Sequence, residues 1–208
     1  MFDFIQDLDG YFCEKYANYD KLCVLPGYRM PKMQTSKVGE DGRTYAYTLP
    51  ASTMRLAKQE NKAELLSELK SRLSDKTFSF SFSPVGIFTR VKNIFFKYAP
   101  YKWLKVILEK CGTTETEAGS LLSIDQTVWQ GICKGKFAPT KNLILSLALT
   151  SQLGMEYTKD LLALCGYEFD FSYEKDVVIA YLLEQKIYNR LMIDAALNEY
   201  HISNLFLA

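Results

Sequence analysis

Apolar residues recur at helical spacing from the first residues of the chain, where Phe2, Ile5, Leu8 and Phe12 share one side of an amphipathic helix over residues 2–17. The pattern breaks between Asn18 and Pro50, punctuated by Pro26-Gly27, Pro31 and "GEDG". Within that stretch "RTYAYTLP" (43–50) reads as a short strand, one arm of a hairpin turning on Asp41-Gly42. "NKAELLSELKSRL" (61–73) predicts a helix, with Asn61 as its cap, Glu64 three positions on, and Leu65, Leu66, Leu69 and Leu73 along one side. "TFSFSFSP" (77–84) alternates strictly. It places Phe78, Phe80 and Phe82 on one face of a strand that Pro84 ends. Helical spacing returns in "IFTRVKNIFFKYA" (87–99).

From Trp103 the helix signals become denser. "WLKVILEKCG" is a short amphipathic helix stopped by Gly112. Thr114 with Glu117 forms a capping box that opens the next helix, and Ser123-Ile124 makes a tight turn. Asp125 is a natural N-cap for a third helix, which ends at Gly135. Pro139-Thr140 starts a longer one, "TKNLILSLALTSQLG", closed by Gly154, and "EYTKDLLALCGY" supplies a fifth that ends at Gly166. The expected fold is therefore mainly α. Any sheet should be confined to residues 40–84, with no strand pairing between 103 and 167.

Five short helices with tight turns, the second and third forming a helix-turn-helix, make a specific arrangement. Residues 103–167 resemble a Cro/repressor-type (Xre-like) helix-turn-helix domain of bacterial proteins. Aligned without a gap, Gly119 falls on the small residue where the two helices cross and Ser123 on the turn. Ile124 and Val128 fall on buried positions, Gly135 on the glycine after the recognition helix, and Pro139-Thr140 on the family's proline-serine pair. The tail from Asp176 to Leu207 resembles a helical hairpin that often follows such domains. The chain thus divides into residues 1–100, a mainly helical region with a short β element; 101–170, the helix-turn-helix domain; and 171–208, the hairpin.

The resemblance implies sequence-specific binding of double-stranded DNA by a transcriptional regulator, with the helix 125–134 in the major groove. Three departures stand out. Cys133 replaces the family's acid before the glycine, Phe137 replaces a polar residue before the proline, and Gly131 stands where a longer side chain is usual. That glycine costs about 1 kcal/mol of helix propensity against alanine. Trp129 and Ile132 should face the core. Asp125, Gln126, Thr127 and Gln130 are then left to meet base edges, with Lys134 and Lys136 placed for phosphates. Asp125 repels phosphate, but as an N-cap it needs no partner to explain it. Such domains read two half-sites, so a two-fold homodimer is expected, formed through the aromatic N-terminal half or the hairpin 173–208.

Charge refines this picture. A formal net charge of +1 conceals fifteen Lys and Arg against eleven Asp and Glu in residues 1–100, and ten against thirteen in 101–208. Between Arg90 and Lys110 lie Arg90, Lys92, Lys97, Lys102, Lys105 and Lys110 against Glu109 alone, a basic belt suited to a local anionic partner. No metal or cofactor is implied. The single histidine, His201, and the scattered Cys13, Cys23, Cys111, Cys133 and Cys165 lack zinc-ligand spacing, and the thiols should be reduced and mostly buried. With no nucleophile–base pair and no phosphate-binding glycine loop to assemble, an enzyme is not expected. The acidic N-terminus and the lack of a long apolar run point to a cytoplasmic protein without membrane association. The competing reading is a protein-interaction module, antitoxin-like or an assembly subunit, that retains the fold without reading DNA. No small-molecule ligand can be named.

Overall fold

The computed structural model describes residues 4–25, 27–73, 81–203 and 205–208, and among these it is mainly helical with one small sheet. The chain forms two compact units, residues 1–74 and 75–208. They part at 74/75, not at the expected boundaries near 100 and 170. The reason is packing: residues 83–85 and the tail both attach to the middle helices, as described below.

In the first unit, α1 (Phe4–Lys15), α2 (Tyr19–Cys23), α3 (Ala51–Glu60) and α4 (Lys62–Arg72) surround a core of Leu8, Phe12, Leu22, Met54, Leu65 and Leu69. The Asn61 side chain accepts from the Glu64 amide, so α4 starts where its cap predicts. Lys70 Nζ lies 2.6 Å from Asp9 Oδ1 and ties α4 to α1. The antiparallel strands β1 (Gln34–Val38) and β2 (Thr44–Thr48) pair in register Gln34 to Thr48, with Gly42 at φ +73° in the connection. The sheet thus begins at Gln34, earlier than expected. Every position of both strands is exposed, so alternation carries no burial signal in the first arm. The helix α3 has no counterpart in the sequence reading, because Pro50 offers no side-chain cap to announce it.

The second unit contains α5 (Ile87–Phe95), α6 (Pro100–Lys110), α7 (Glu115–Ser120), α8 (Gln126–Cys133), α9 (Lys141–Thr150), α10 (Met155–Leu164), α11 (Glu174–Glu184) and α12 (Arg190–Glu199). Its centre is α9, buried at every position from Asn142 to Leu149, with α10 and α11 against it. A helix apolar all round has to be enclosed. The helix α11 is buried from Asp176 to Leu183 in the same way.

Three expectations need correction here. The strand expected over 77–84 lies partly outside the described residues. Its described end forms no ladder: Pro84 makes an isolated bridge with Phe137, which does enter the stretch expected to be free of strand pairing. Gly154 does not close α9. The left-handed position is Gln152, at φ 54°, and Gly154 is the N-cap of α10. Ile124 and Val128 are half-buried, since α8 meets its neighbours through the side carrying Trp129 and Ile132.

Asp176, 1% exposed, pairs with Lys141 at the start of α9 and accepts from the Asp170 amide at 2.7 Å. It therefore holds the entry to α11 against α9. Replacing Asp176 by alanine removes both contacts and is expected to cost about 3 kcal/mol. Urea unfolding would show this as a lower midpoint with an unchanged slope. Asp176→Asn keeps an acceptor for the amide and should cost less.

Candidate nucleic-acid interface

The second and third helices of the predicted motif, α7 and α8, start and stop where their local signals say. Thr114 Oγ1 accepts from the Glu117 amide at 3.1 Å while Glu117 Oε2 accepts from the Thr114 amide at 2.8 Å, a complete capping box. Asp125 Oδ1 accepts from the amides of Thr127 at 2.8 Å and Val128 at 3.2 Å. Those amides hold its carboxyl below the usual range. At the far end Gly135 takes φ +68°, with its amide on Ile132 O (2.9 Å) and the Lys136 amide on Gly131 O (2.7 Å), a Schellman cap.

One side of α8 is fixed in the core. Trp129, 2% exposed, donates from Nε1 to Glu115 O at 2.9 Å, which locks α8 to the first turn of α7. A Cβ built on Gly119 would lie 2.4 Å from that indole, so α7 and α8 approach through a residue without a side chain. Ile132 and Cys133 complete the buried side. Glu115 in turn pairs with Lys105 of α6 at 2.7 Å.

The other side is polar and exposed. Gln126, Gln130 and Lys134 follow one another at intervals of four residues, with Thr127 beside them and Lys136 just beyond the cap, and all five are exposed. Gln126, Thr127, Gln130 and Lys134 therefore share one side of α8, and Lys136 is exposed beyond its cap.

Two of the departures from the family pattern explain each other. A Cβ on Gly131 would lie 2.4 and 2.6 Å from carbons of the Phe137 ring, so the ring covers the gap in α8 that the glycine leaves. At the third departure, Cys133 is buried and its thiol is pushed up to about 12, chiefly by desolvation and then by the charge of Glu115. It is a packing residue with no ionised role at neutral pH. The expectation of mostly buried thiols holds for Cys133 alone. Cys23 is exposed, Cys13, Cys111 and Cys165 are half-buried, and all five are free of disulfides.

Sequence reasoning missed how both ends of α8 are tethered. After it, the Val85 amide donates to Lys136 O at 2.8 Å and the Ala138 amide to Ser83 O at 3.0 Å. Before it, Ser123 Oγ donates to Leu207 O at 2.9 Å and the Ala208 amide to Leu121 O at 3.1 Å. No local pattern signals contacts between residues more than fifty positions apart. The basic belt is also partly engaged within the protein. Lys102 donates to Ile94 O and Phe96 O at the end of α5, Lys105 pairs with Glu115, and Lys110 lies over the rings of Trp103 and Tyr157. Among the described residues no helix is long and apolar enough to cross a membrane, and no group of three or more His, Cys, Asp or Glu is placed to hold a metal ion. Comparison with known proteins finds no matching family model, curated protein or solved structure.

Two outcomes test this geometry. Gly131→Ala should destabilise by about 1–3 kcal/mol through its clash with Phe137, although alanine is the better helix former. With Phe137→Ala already present the same change should become stabilising by up to about 1 kcal/mol. A double-mutant cycle by chemical denaturation reads the sign reversal; two changes that simply add would refute the coupling. For Cys133, the folded thiol keeps its proton to about pH 12, whereas the unfolded thiol gives it up near 9.0. The folded state binds the extra proton, so stability is full below pH 9 and declines as the pH rises from there toward 12. Cys133→Ala should flatten that decline in unfolding curves taken across the window, leaving the part that Cys165, also pushed up to about 12, contributes.

Proposed function

We propose that residues 103–167 are a Cro/repressor-type helix-turn-helix domain, and that α8 reads double-stranded DNA in the major groove, the chain acting as a transcriptional regulator. The observation that carries this reading is the exposed stripe Gln126, Gln130, Lys134, with Thr127 and Lys136, on a helix whose opposite side is locked by Trp129 and Ile132. Direct readout needs this combination: side chains that can pair with base edges, displayed from a backbone that does not move. Gln126 and Gln130 can each pair bidentately with adenine, and Thr127 can meet a thymine methyl. Lys134 and Lys136 supply phosphate contacts that fix register without reading sequence. Asp125 takes no part in base reading, because its carboxylate is engaged by the amides of α8.

The competing reading, a protein-interaction module, draws support from the exposed apolar face of α5. Salt dependence separates the two. Contacts to several phosphates weaken steeply with ionic strength, whereas an apolar interface hardly responds.

Selection of genomic fragments by the full chain at about 150 mM salt should enrich a preferred site. Against it, Gln126→Ala or Gln130→Ala should lose about 1–3 kcal/mol while non-specific binding stays nearly intact. Lys134→Ala or Lys136→Ala should weaken all sequences alike and lower the salt slope by about one unit. Enrichment of no sequence by the folded protein would end the DNA-reading proposal.

A further inference from the structure

The helix α5 is amphipathic, yet none of its residues is buried. At 100° per residue, Ile87, Phe88, Val91, Ile94 and Phe95 fill one continuous sector. That sector faces out: Phe88 is 94% exposed, Phe95 84% and Ile87 75%, and Val91 and Ile94 are at least half exposed. Thr89 and Asn93 line one groove with Tyr101 and Phe137, and the inner edge of the apolar sector, Ile87, Val91 and Ile94, borders a second open groove with Tyr101, Lys134 and Gly135. Arg90 and Lys92 border the apolar sector on its two edges. With roughly 200 Å² for each phenylalanine, the sector and the adjoining Phe96 come to about 700–800 Å². That exceeds the largest apolar patch of a typical monomer, and matches what each partner contributes to a standard interface.

We infer that this face pairs with the same face of a second copy, α5 against α5 antiparallel about a two-fold axis through Val91. The sequence "IFTRVKNIF" is close to a palindrome of residue character. Turned about Val91, Ile87 meets Phe95, Phe88 meets Ile94, and Val91 meets itself. An isologous interface requires this self-complementarity. The flanking cations weigh on the same choice. In the antiparallel pair Arg90 lies near its equivalent on one edge and Lys92 near its equivalent on the other. Both are solvent-exposed, so the repulsion is weak and salt removes it. An interface of this kind tightens as salt is added, the opposite of DNA binding.

The consequence for the proposed function rests on that reading. Residues 83–85, immediately before α5, are hydrogen-bonded to residues 136–138, immediately after α8. A dimer axis at Val91 therefore sets the separation of the two α8 helices through a short tether, which is how half-site spacing would be specified.

The test uses the full chain without DNA. Sedimentation equilibrium should give a reversible dimer that tightens between about 50 and about 500 mM salt. The double variant Phe88→Ser, Phe95→Ser should raise the dissociation constant about 100-fold or more with unchanged circular dichroism, since neither side chain is in the core. In a Cys23→Ser background, Val91→Cys should form an intermolecular disulfide under mild oxidation, and Thr89→Cys should not. A strictly monomeric chain, or a dimer indifferent to the two serines, overturns the inference. So does a monomer that binds anionic vesicles through these phenylalanines, which would assign the face to lipid. The monomeric variant should still bind a single half-site with the salt dependence of phosphate contacts, so failure of the dimer and failure of DNA reading give different results.

Discussion

Helix α9 has no side that can face water. Its eight residues from Asn142 to Leu149 are all buried, and the five leucine and isoleucine side chains among them each gain about 1.5–3 kcal/mol from leaving solvent. The second unit is the set of walls this requires. The helices α10 and α11 pack directly on α9, and α6 packs on α10. Even the polar groups inside serve the enclosure. Ser146 Oγ donates to Asn142 O and accepts from the Phe206 amide, so the end of the described chain is fastened to the central helix. Lys141, at the first position of α9, pairs with Asp176 and so sets where α11 begins.

On this base α8 is held rigidly by contacts that leave one surface uncommitted. Trp129 bonds to Glu115 O, Phe137 fills the gap over Gly131, and the backbone is tethered on both sides by residues 83–85 and 207–208. The glycine and phenylalanine that look unsuited to a reading helix are two halves of one packing contact. They lie off the exposed stripe, so they are compatible with base reading. The buried side of α8 carries Trp129 and Ile132, and the exposed side carries Gln126, Gln130 and Lys134.

The two exposed features of the second unit obey opposite rules. The stripe on α8 is polar and cationic, suited to a hydrated polyanion whose grip weakens with salt. The outward face of α5 is apolar with cationic edges, suited to a partner that excludes water. Their backbones are joined through the pairing of 83–85 with 136–138, so anything that orders α5 also bears on the end of α8.

Local signals were legible in the amino-acid sequence because their causes act over three to five residues. The capping box at Thr114 and Glu117, the Asp125 N-cap, the glycine stops at 112, 135 and 166, and the Asn61 cap of α4 all stand where their residue types predict. The division of α8 into a core side with Trp129 and Ile132 and an exposed side with Gln126 and Gln130 followed from helical periodicity. Other features were invisible for an equally physical reason. Gln152, Lys186 and His201 adopt positive φ at helix ends without the glycine that usually announces it. Each follows α9, α11 or α12 beside a six-to-one backbone bond that closes the helix (Leu153 to Ala148 O, Ile187 to Leu182 O, Ile202 to Leu197 O), a cap that residue type did not announce. At Pro84 the described end of the alternating stretch pairs only with Phe137, some fifty residues on, a partner that no local pattern announces. Sequence alone placed the capped helices α4 and α6–α10 and the way α8 faces, but not α2 or α3. The tertiary structure decided that α5 leaves its apolar residues largely exposed, and no periodicity can say which side of an amphipathic helix finds a neighbour.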